Sequence, residues 1–243
     1  MPKETDKKLL VKKVRFRGRE FTIFLRPDAD ESVVAEIFEW QDYRAAEAVL
    51  GASALPVLDV GAHIGVFTLY ARALSPLARI HALEPEAENF ALLRRNVAAN
   101  QLENVKLHQV ALAGTTGRGR LLLEADSINH RLARGADESG AAGERAVATF
   151  RLGDFLDSAC IPAVGLLKMD IEGGEYAVLE GLEEPDFARL RHIFLEYHDL
   201  SDRRHRELDE LLRRSGFSVQ VFPSQFEKGM GFMLARNKRT DKA

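Results

Sequence analysis

Hydrophobic and polar positions recur with different periods along the chain, and each period predicts a different kind of element. Two runs rich in β-branched and aromatic residues, 12–16 and 21–25, flank Arg17-Gly18-Arg19-Glu20 and predict a β-hairpin. Val34, Ile37, Phe38, Tyr43, Ala46 and Leu50 then fall near helical spacing behind Ser32, a good N-capping residue, so one helix is expected over residues 31–50. Gly51 to Pro56 breaks it. Beyond Pro56, short apolar runs alternate with helical segments, the pattern of parallel strands covered on both faces. The predicted strands are 57–60, 79–83, 105–110, 164–169, 192–197, 218–222 and 232–236, with helices at 66–73, 86–100, 174–181 and 203–214.

One gap, residues 111–162, is too long for a simple crossover. It holds strand-like pieces at 120–123 and 147–152. The polar, glycine-punctuated stretch 126–145 between them is expected to be a mobile loop, because it has too little apolar surface to offset its ordering entropy. The chain therefore divides into an N-terminal extension, 1–50, packed as hairpin and helix on an α/β unit, 51–243, with an insertion at about 113–152. Charged tails at 1–8 and 237–243 are expected to fray.

Composition adds exclusions. With 34 basic and 37 acidic side chains among 243 residues, the formal charge is -3, which gives no basic field for nucleic acid or for a membrane surface. No stretch reads as a secretory signal, and no apolar run is long enough to span a bilayer. The lone cysteine, Cys160, excludes an intramolecular disulfide and a thiolate zinc cage; it is expected to be a small buried hydrophobe in a cytoplasmic protein.

The strongest local signal is Asp59-Val60-Gly61-Ala62-His63-Ile64-Gly65, where a short strand runs through a glycine turn into a helix. Gly61 and Gly65 let the backbone turn and approach a ligand, and the helix start points N–H groups at it. The spacing differs from the Gly-x-Gly-x-x-Gly of dinucleotide sites, and Asp59 would repel a pyrophosphate while suiting an ammonium group. Glu84, at the end of the next strand, is placed to accept hydrogen bonds from a ribose diol. A second constellation, Lys168-Met169-Asp170-Ile171-Glu172-Gly173-Gly174-Glu175, brings four ionisable groups to another strand end. In an open parallel sheet all of these border one crevice.

Together with Glu84-Pro85, Asn89-Phe90, Leu93, Asn96 and Val110-Ala111-Leu112, these motifs resemble the FkbM family of S-adenosylmethionine-dependent methyltransferases, over residues 58–197. The resemblance implies the class I methyltransferase, Rossmann-like fold: a seven-stranded, mostly parallel sheet with helices on both faces and an antiparallel last strand. It also implies O-methylation, with a hydroxyl of a small metabolite, sugar or glycan as acceptor. His63 departs from the asparagine typical of the family and introduces a group that titrates near 6.5 when unperturbed.

Carried over by position, the resemblance makes Asp59, Gly61, His63, Gly65, Phe67 and Thr68 the methionine cradle, Glu84 the ribose acceptor, and Pro85, Asn89 and Ala111 the adenine pocket. Asn96 and Asn100 are expected to cap or end the helix. A hydroxyl acceptor must lose its proton, and Asp170, His198 and Glu172 are the candidate catalytic groups; the alternative for His198 is a structural hydrogen bond to Asp199. Lys168 is expected to partner a carboxylate. No metal site is expected: Asp170, Glu172, Glu175 and Glu196 offer hard oxygen ligands, but Lys168 opposes a cation. Ser127, Asn129 and His130 in the insertion are candidate substrate contacts, while Trp40 and Tyr43 are expected in the core. A nicotinamide-dependent oxidoreductase and a non-catalytic binding module on the same fold are the competing readings.

Overall fold

A computed structural model describes residues 9–27, 29–52, 54–124, 126–133 and 142–239. The hairpin forms as the alternation predicts, with β1 (Leu10–Phe16) antiparallel to β2 (Arg19–Leu25). The helix expected over residues 31–50 is instead a broken series: α1 (Ala29–Ala35), a π-helical turn (Glu36–Trp40), a 3-10 turn (Asp42–Ala46) and α2 (Glu47–Ala52). The break falls at Gln41, whose φ of 61° is left-handed. Trp40, on one side of it, is 63% exposed, against the expectation of core packing, whereas Tyr43 on the other side is 4% exposed.

The α/β unit contains β3 (Val57–Val60), α3 (Val66–Leu74), β4 (Ile80–Leu83), α4 (Ala87–Ala99) and β5 (Val105–His108). An insertion of β6 (Ala111–Leu112), β7 (Gly117–Leu123), β8 (Arg131–Leu132) and β9 (Gly143–Phe150) follows. The chain then returns through α5 (Leu152–Ser158), β10 (Val164–Met169), α6 (Glu175–Glu180), α7 (Glu184–Arg189) and β11 (Leu190–His198), and ends with α8 (His205–Arg214), β12 (Phe217–Pro223) and β13 (Met230–Asn237).

Seven strands form one sheet in the order β12-β13-β11-β10-β3-β4-β5. Its central pairs are parallel and only β13 runs antiparallel to its neighbours β11 and β12. Every residue of β3, β4 and β10 is buried, including Asp59, His81 and Lys168 among otherwise apolar positions, as strands covered on both faces require. This is the class I methyltransferase topology expected from the sequence.

The hairpin is part of the core: Phe21, Ile23 and Leu25 share a buried cluster with Ile64, Leu69 and Leu93. Two carboxamides of α4 also pair with the edge of β2. Asn96 Oδ1 accepts from Phe24 N at 2.7 Å, and its Nδ2 donates to Phe24 O at 3.0 Å and Ile64 O at 2.8 Å. Asn100 accepts from Thr22 N and donates to Thr22 O, at 2.8 and 2.7 Å. Asn100 does terminate α4, but Asn96 lies inside the helix and holds the hairpin and the glycine turn to it.

The insertion forms a separate four-stranded sheet in the order β6-β9-β7-β8. Part of the stretch expected to be a loop is therefore strand, because Leu121 and Leu122, each 2% exposed, supply the apolar surface that the polar stretch lacks. Residues 134–141 of that stretch lie outside the described residues. Three smaller expectations also change: β9 ends at Phe150 and helix α5 begins at Leu152, Cys160 is exposed, and Asn237 is buried, donating to Phe187 O and Leu190 O. Residues 1–8 and 240–243 of the tails lie outside the described residues. Among the described residues no helix is long and apolar enough to cross a membrane.

Candidate functional site

A cavity of about 1150 Å³ opens beyond the C-terminal ends of the parallel strands, where an open α/β sheet is expected to bind its ligand. Its walls come from the glycine turn after β3, the turn after β4, β6, the insertion, the kinked N-terminal segment and the tips of β10 and β11.

The glycine turn packs against its own protein more than the sequence suggests. Gly61 has φ 72°, and a Cβ there would lie 1.9 Å from the carbonyl oxygen of Asp170; at Gly65, with φ 90°, it would lie 2.6 Å from Leu93 Cδ1. These glycines admit β10 and α4. The amides of Gly61 and Ala62 donate to Leu83 O, that of His63 to Glu84 Oε2 and that of Gly65 to Ala62 O, so these four are already engaged within the protein. Beneath the turn Asp59 is fully buried. It accepts from Thr68 Oγ1 at 2.6 Å, and Lys168 Nζ lies 3.5 Å from its Oδ1. Burial raises the Asp59 carboxyl above the usual carboxylate range against the pull of Lys168. Asp59, Gly65 and Thr68 thus lie behind the wall, while Gly61, His63 and Phe67 line it.

Glu84 faces the cavity from the tip of β4 and is 5% exposed. Its Oε2 accepts from His63 N at 2.9 Å and its Oε1 from Glu86 N at 2.8 Å, and the Asn89 side chain also hydrogen-bonds it, which fixes the carboxylate without exhausting its four lone pairs. Burial pushes its pKa up to about 7. Pro85, Asn89, Val110, Ala111 and Leu112 continue the same wall as a largely apolar slot.

A polar network missed in the sequence ties the N-terminal segment to this wall. Arg26 binds the buried Asp30 through Nε and NH2, both at 2.9 Å, and also donates to Asn89 Oδ1 at 2.6 Å. His63 Nε2 lies 3.2 Å from Asp30 Oδ1, and Ser127 of the insertion donates to the same oxygen. Burial alone would raise Asp30, but hydrogen bonds from His63 and Arg26 outweigh it and hold the carboxyl well below its ordinary range. Burial in turn lowers the His63 pKa, against Asp30. A pair spaced Arg-x-x-x-Asp reads in sequence as an ordinary surface ion pair, so only the fold reveals its partners.

At the tips of β10 and β11, Asp170, Glu172 and His198 converge on the cavity. Tyr43 donates to Asp170 Oδ2 at 3.3 Å, and Lys168 Nζ lies 3.8 Å from the same oxygen. His198 Nε2 lies 3.6 Å from Glu172 Oε2, while Asp199, its expected partner, instead binds His205. Burial and then Asp170 push Glu172 up to about 7. Burial would lower His198, but Glu172, Glu175 and Asp170 raise it overall. Glu36, Asp42, Glu196 and Glu227 also line the cavity, opposed by Lys168, Arg44 and Arg131, so this end is acidic. Glu175 stands apart in the first turn of α6, buried, accepting from Ile171 N. Ser127, Asn129 and His130 line the cavity, as do Trp40, Phe222 and Phe226 at exposed positions.

Comparison with known proteins agrees with this fold. The family described as the methyltransferase FkbM domain matches residues 59–219. The chain is 31% identical over 193 residues to the 31-O-demethyl-FK506 methyltransferase FkbM of Streptomyces tacrolimicus, covering 67% of this chain and 72% of that protein. It is 27% identical over 205 residues to the 2-O-methyltransferase NoeI of Sinorhizobium fredii, covering 75% and 79%. A SAM-dependent methyltransferase from Agrobacterium tumefaciens shares the fold with a TM-score of 0.52 at 12% identity, over 97% of this chain and 71% of that one. The chain belongs to the FkbM methyltransferase family.

Proposed function

We propose that this methyltransferase carries the methyl group of S-adenosylmethionine to a hydroxyl oxygen of a small metabolite, sugar or glycan. The observation that carries the reading is that one cavity joins the fixed carboxylate of Glu84 to the Asp170, Glu172 and His198 cluster. The residues present fit the cofactor. Glu84 faces the cavity with a carboxylate held by backbone donors and able to accept from a ribose diol, and Asp59, buried beneath the turn beside Lys168, adds negative charge behind the methionine end.

Bound there, S-adenosylmethionine supplies an electrophilic methyl group on a sulfonium. Glu84 would hold the ribose, Pro85, Asn89 and Ala111 the adenine, and Gly61, His63 and Phe67 the methionine end, with Asp59, Gly65 and Thr68 acting from beneath the turn. In-line transfer asks the protein chiefly to position the acceptor and exclude water, and the exposed aromatic rim of Trp40, Phe222 and Phe226 suits an apolar part of that acceptor. The strand-tip cluster manages the hydroxyl proton. An acid-lined cavity gives a phosphate chain no attraction, which favours a small-molecule acceptor over nucleic acid.

Incubation with methyl-labelled cofactor and fractionated cell extract tests the reading: the label is expected on a hydroxyl of a small molecule or glycan, and label entering protein or nucleic acid overturns it. Calorimetry separates the remaining alternatives, since binding of NADH in place of S-adenosylmethionine and S-adenosylhomocysteine would indicate an oxidoreductase, and cofactor binding without turnover a binding module.

The Glu84 environment adds a pH dependence. Its folded pKa of about 7 lies above the ordinary 4.5, so its contribution to apo-protein stability is present below 4.5 and is lost as the pH rises through 7. The ionised form is the one that accepts a diol. Cofactor affinity is therefore expected to be about tenfold weaker at pH 6 than at pH 8, and Glu84→Gln is expected to weaken binding and flatten that profile. An unchanged profile in the variant would remove Glu84 from the cofactor site.

A further inference from the structure

Among the described residues, one group of three metal-type side chains converges: ligand atoms of Asp170, Glu172 and His198 lie within 4.8 Å of one another. We propose that these three side chains form a divalent-cation site at the tips of β10 and β11, with open positions toward the cavity for the acceptor oxygen. The inference deepens the transferase reading and rests on it for the acceptor alone; the ion site itself stands on the geometry.

Two observations beyond the acidity of the wall point to a metal ion, and a third answers the objection raised by Lys168. The first is the imidazole. His198 Nδ1 is buried with no hydrogen-bond partner, and Nε2 meets only Glu172 at 3.6 Å, outside hydrogen-bonding range. An ammonium group on the acceptor would satisfy the carboxylates but leave that ring without a role; a metal ion accepts the lone pairs of both ligand types.

The second is the support behind Asp170. Tyr43, itself 4% exposed, donates to its Oδ2, which is how ligating carboxylates are held in orientation by an outer layer. The third concerns Lys168, which in sequence argues against a cation. In the fold its ammonium donates to the carbonyl of Gly61 at 3.0 Å and lies closer to Asp59, at 3.5 Å, than to Asp170, at 3.8 Å, so its charge is shared with the carboxylate beneath the glycine turn.

Two carboxylates and an imidazole suit a first-row ion such as Mn²⁺. Coordinated to it, a hydroxyl would be oriented and made more acidic.

The test uses the full chain, stripped with a chelator, dialysed and titrated with Mn²⁺, with the free-ion paramagnetic resonance signal as readout. One saturable site per chain is expected. His198→Ala and Glu172→Gln should each weaken it by at least about tenfold, while Glu180→Gln, on exposed α6 surface, leaves it unchanged. S-adenosylmethionine binding, measured on the same samples, reports that the variants are folded. Absence of saturable Mn²⁺ binding up to about 1 mM, or binding that neither site variant alters, overturns the ion site. Failure of the wild-type chain to bind S-adenosylmethionine is a separate result, and it overturns the transferase reading instead.

Discussion

Asp170→Asn protein is expected to melt no lower than the wild type and yet to transfer methyl groups on the order of 10³-fold more slowly. The two halves of that result have one cause. Asp170 adds negative charge to a wall already carrying Glu36, Glu172 and Glu196, and its field is among the causes that raise the pKa of all three. Removing the charge relieves that repulsion, and asparagine still offers an oxygen to the Tyr43 hydroxyl, so nothing buried is orphaned. What is lost, on the proposed reading, is the anionic oxygen facing the acceptor. Function bought at the expense of stability is the signature of a working site. Cofactor affinity is expected to stay within about threefold if Asp170 acts on the acceptor, as proposed. Thermal denaturation, turnover with labelled cofactor and calorimetry on one preparation check all three. If affinity and turnover fall together, Asp170 belongs to the cofactor pocket.

Replacement of Gly61 by alanine should act in the opposite manner, through the fold. The new Cβ would sit 1.9 Å from the backbone oxygen of Asp170, and neither partner is a flexible side-chain end that can swing away. A positive φ of 72° adds the cost that any L side chain bears in this region. Overpacking and backbone strain together amount to about 3 kcal/mol or more, which in a chain of this size lowers Tm by roughly 10 °C. Because the turn and the tip of β10 must part to relieve the clash, cofactor binding should weaken at the same time. A Gly61→Ala protein with unchanged Tm would mean that the two strand ends are not held as closely as described.

The sheet was legible because its central strands are short, mostly apolar stretches four to six residues long, each carrying a single polar residue (Asp59, His81 or Lys168), and burial on both faces leaves that mark in a sequence. The glycine turn was legible for a similar reason, since a strand running into spaced glycines and then a helix has few alternatives. Its purpose was not: which group approaches Gly61 depends on β10, more than a hundred positions away. The kink at Gln41 left no signal, because the apolar spacing of Val34 to Leu50 is the same for a straight helix and a broken one. In the insertion, β7 and β9 pair across residues whose own composition argues for a loop, and the pairing is stabilised by the leucines of β7. Among site residues, Asp170, Glu172 and His198 were recognisable by chemistry. Arg26, Asp30 and Glu36 were not, since each looks like ordinary surface charge until the N-terminal segment is laid over the sheet.

The grip of α4 on β2 has a practical consequence for how this protein is cut. The family match begins at residue 59, so a fragment started there would retain the glycine turn, Glu84 and the Lys168 to Glu175 motif. It would also strip Asn96 and Asn100 of the strand edge they bind, leave His63 and Asn89 without Arg26 and Asp30, and expose Ile64, Leu69 and Leu93 where the hairpin now covers them. The first residue of the family match is not a place where the cooperative unit ends, and a fragment drawn along it is expected to aggregate where the longer chain folds.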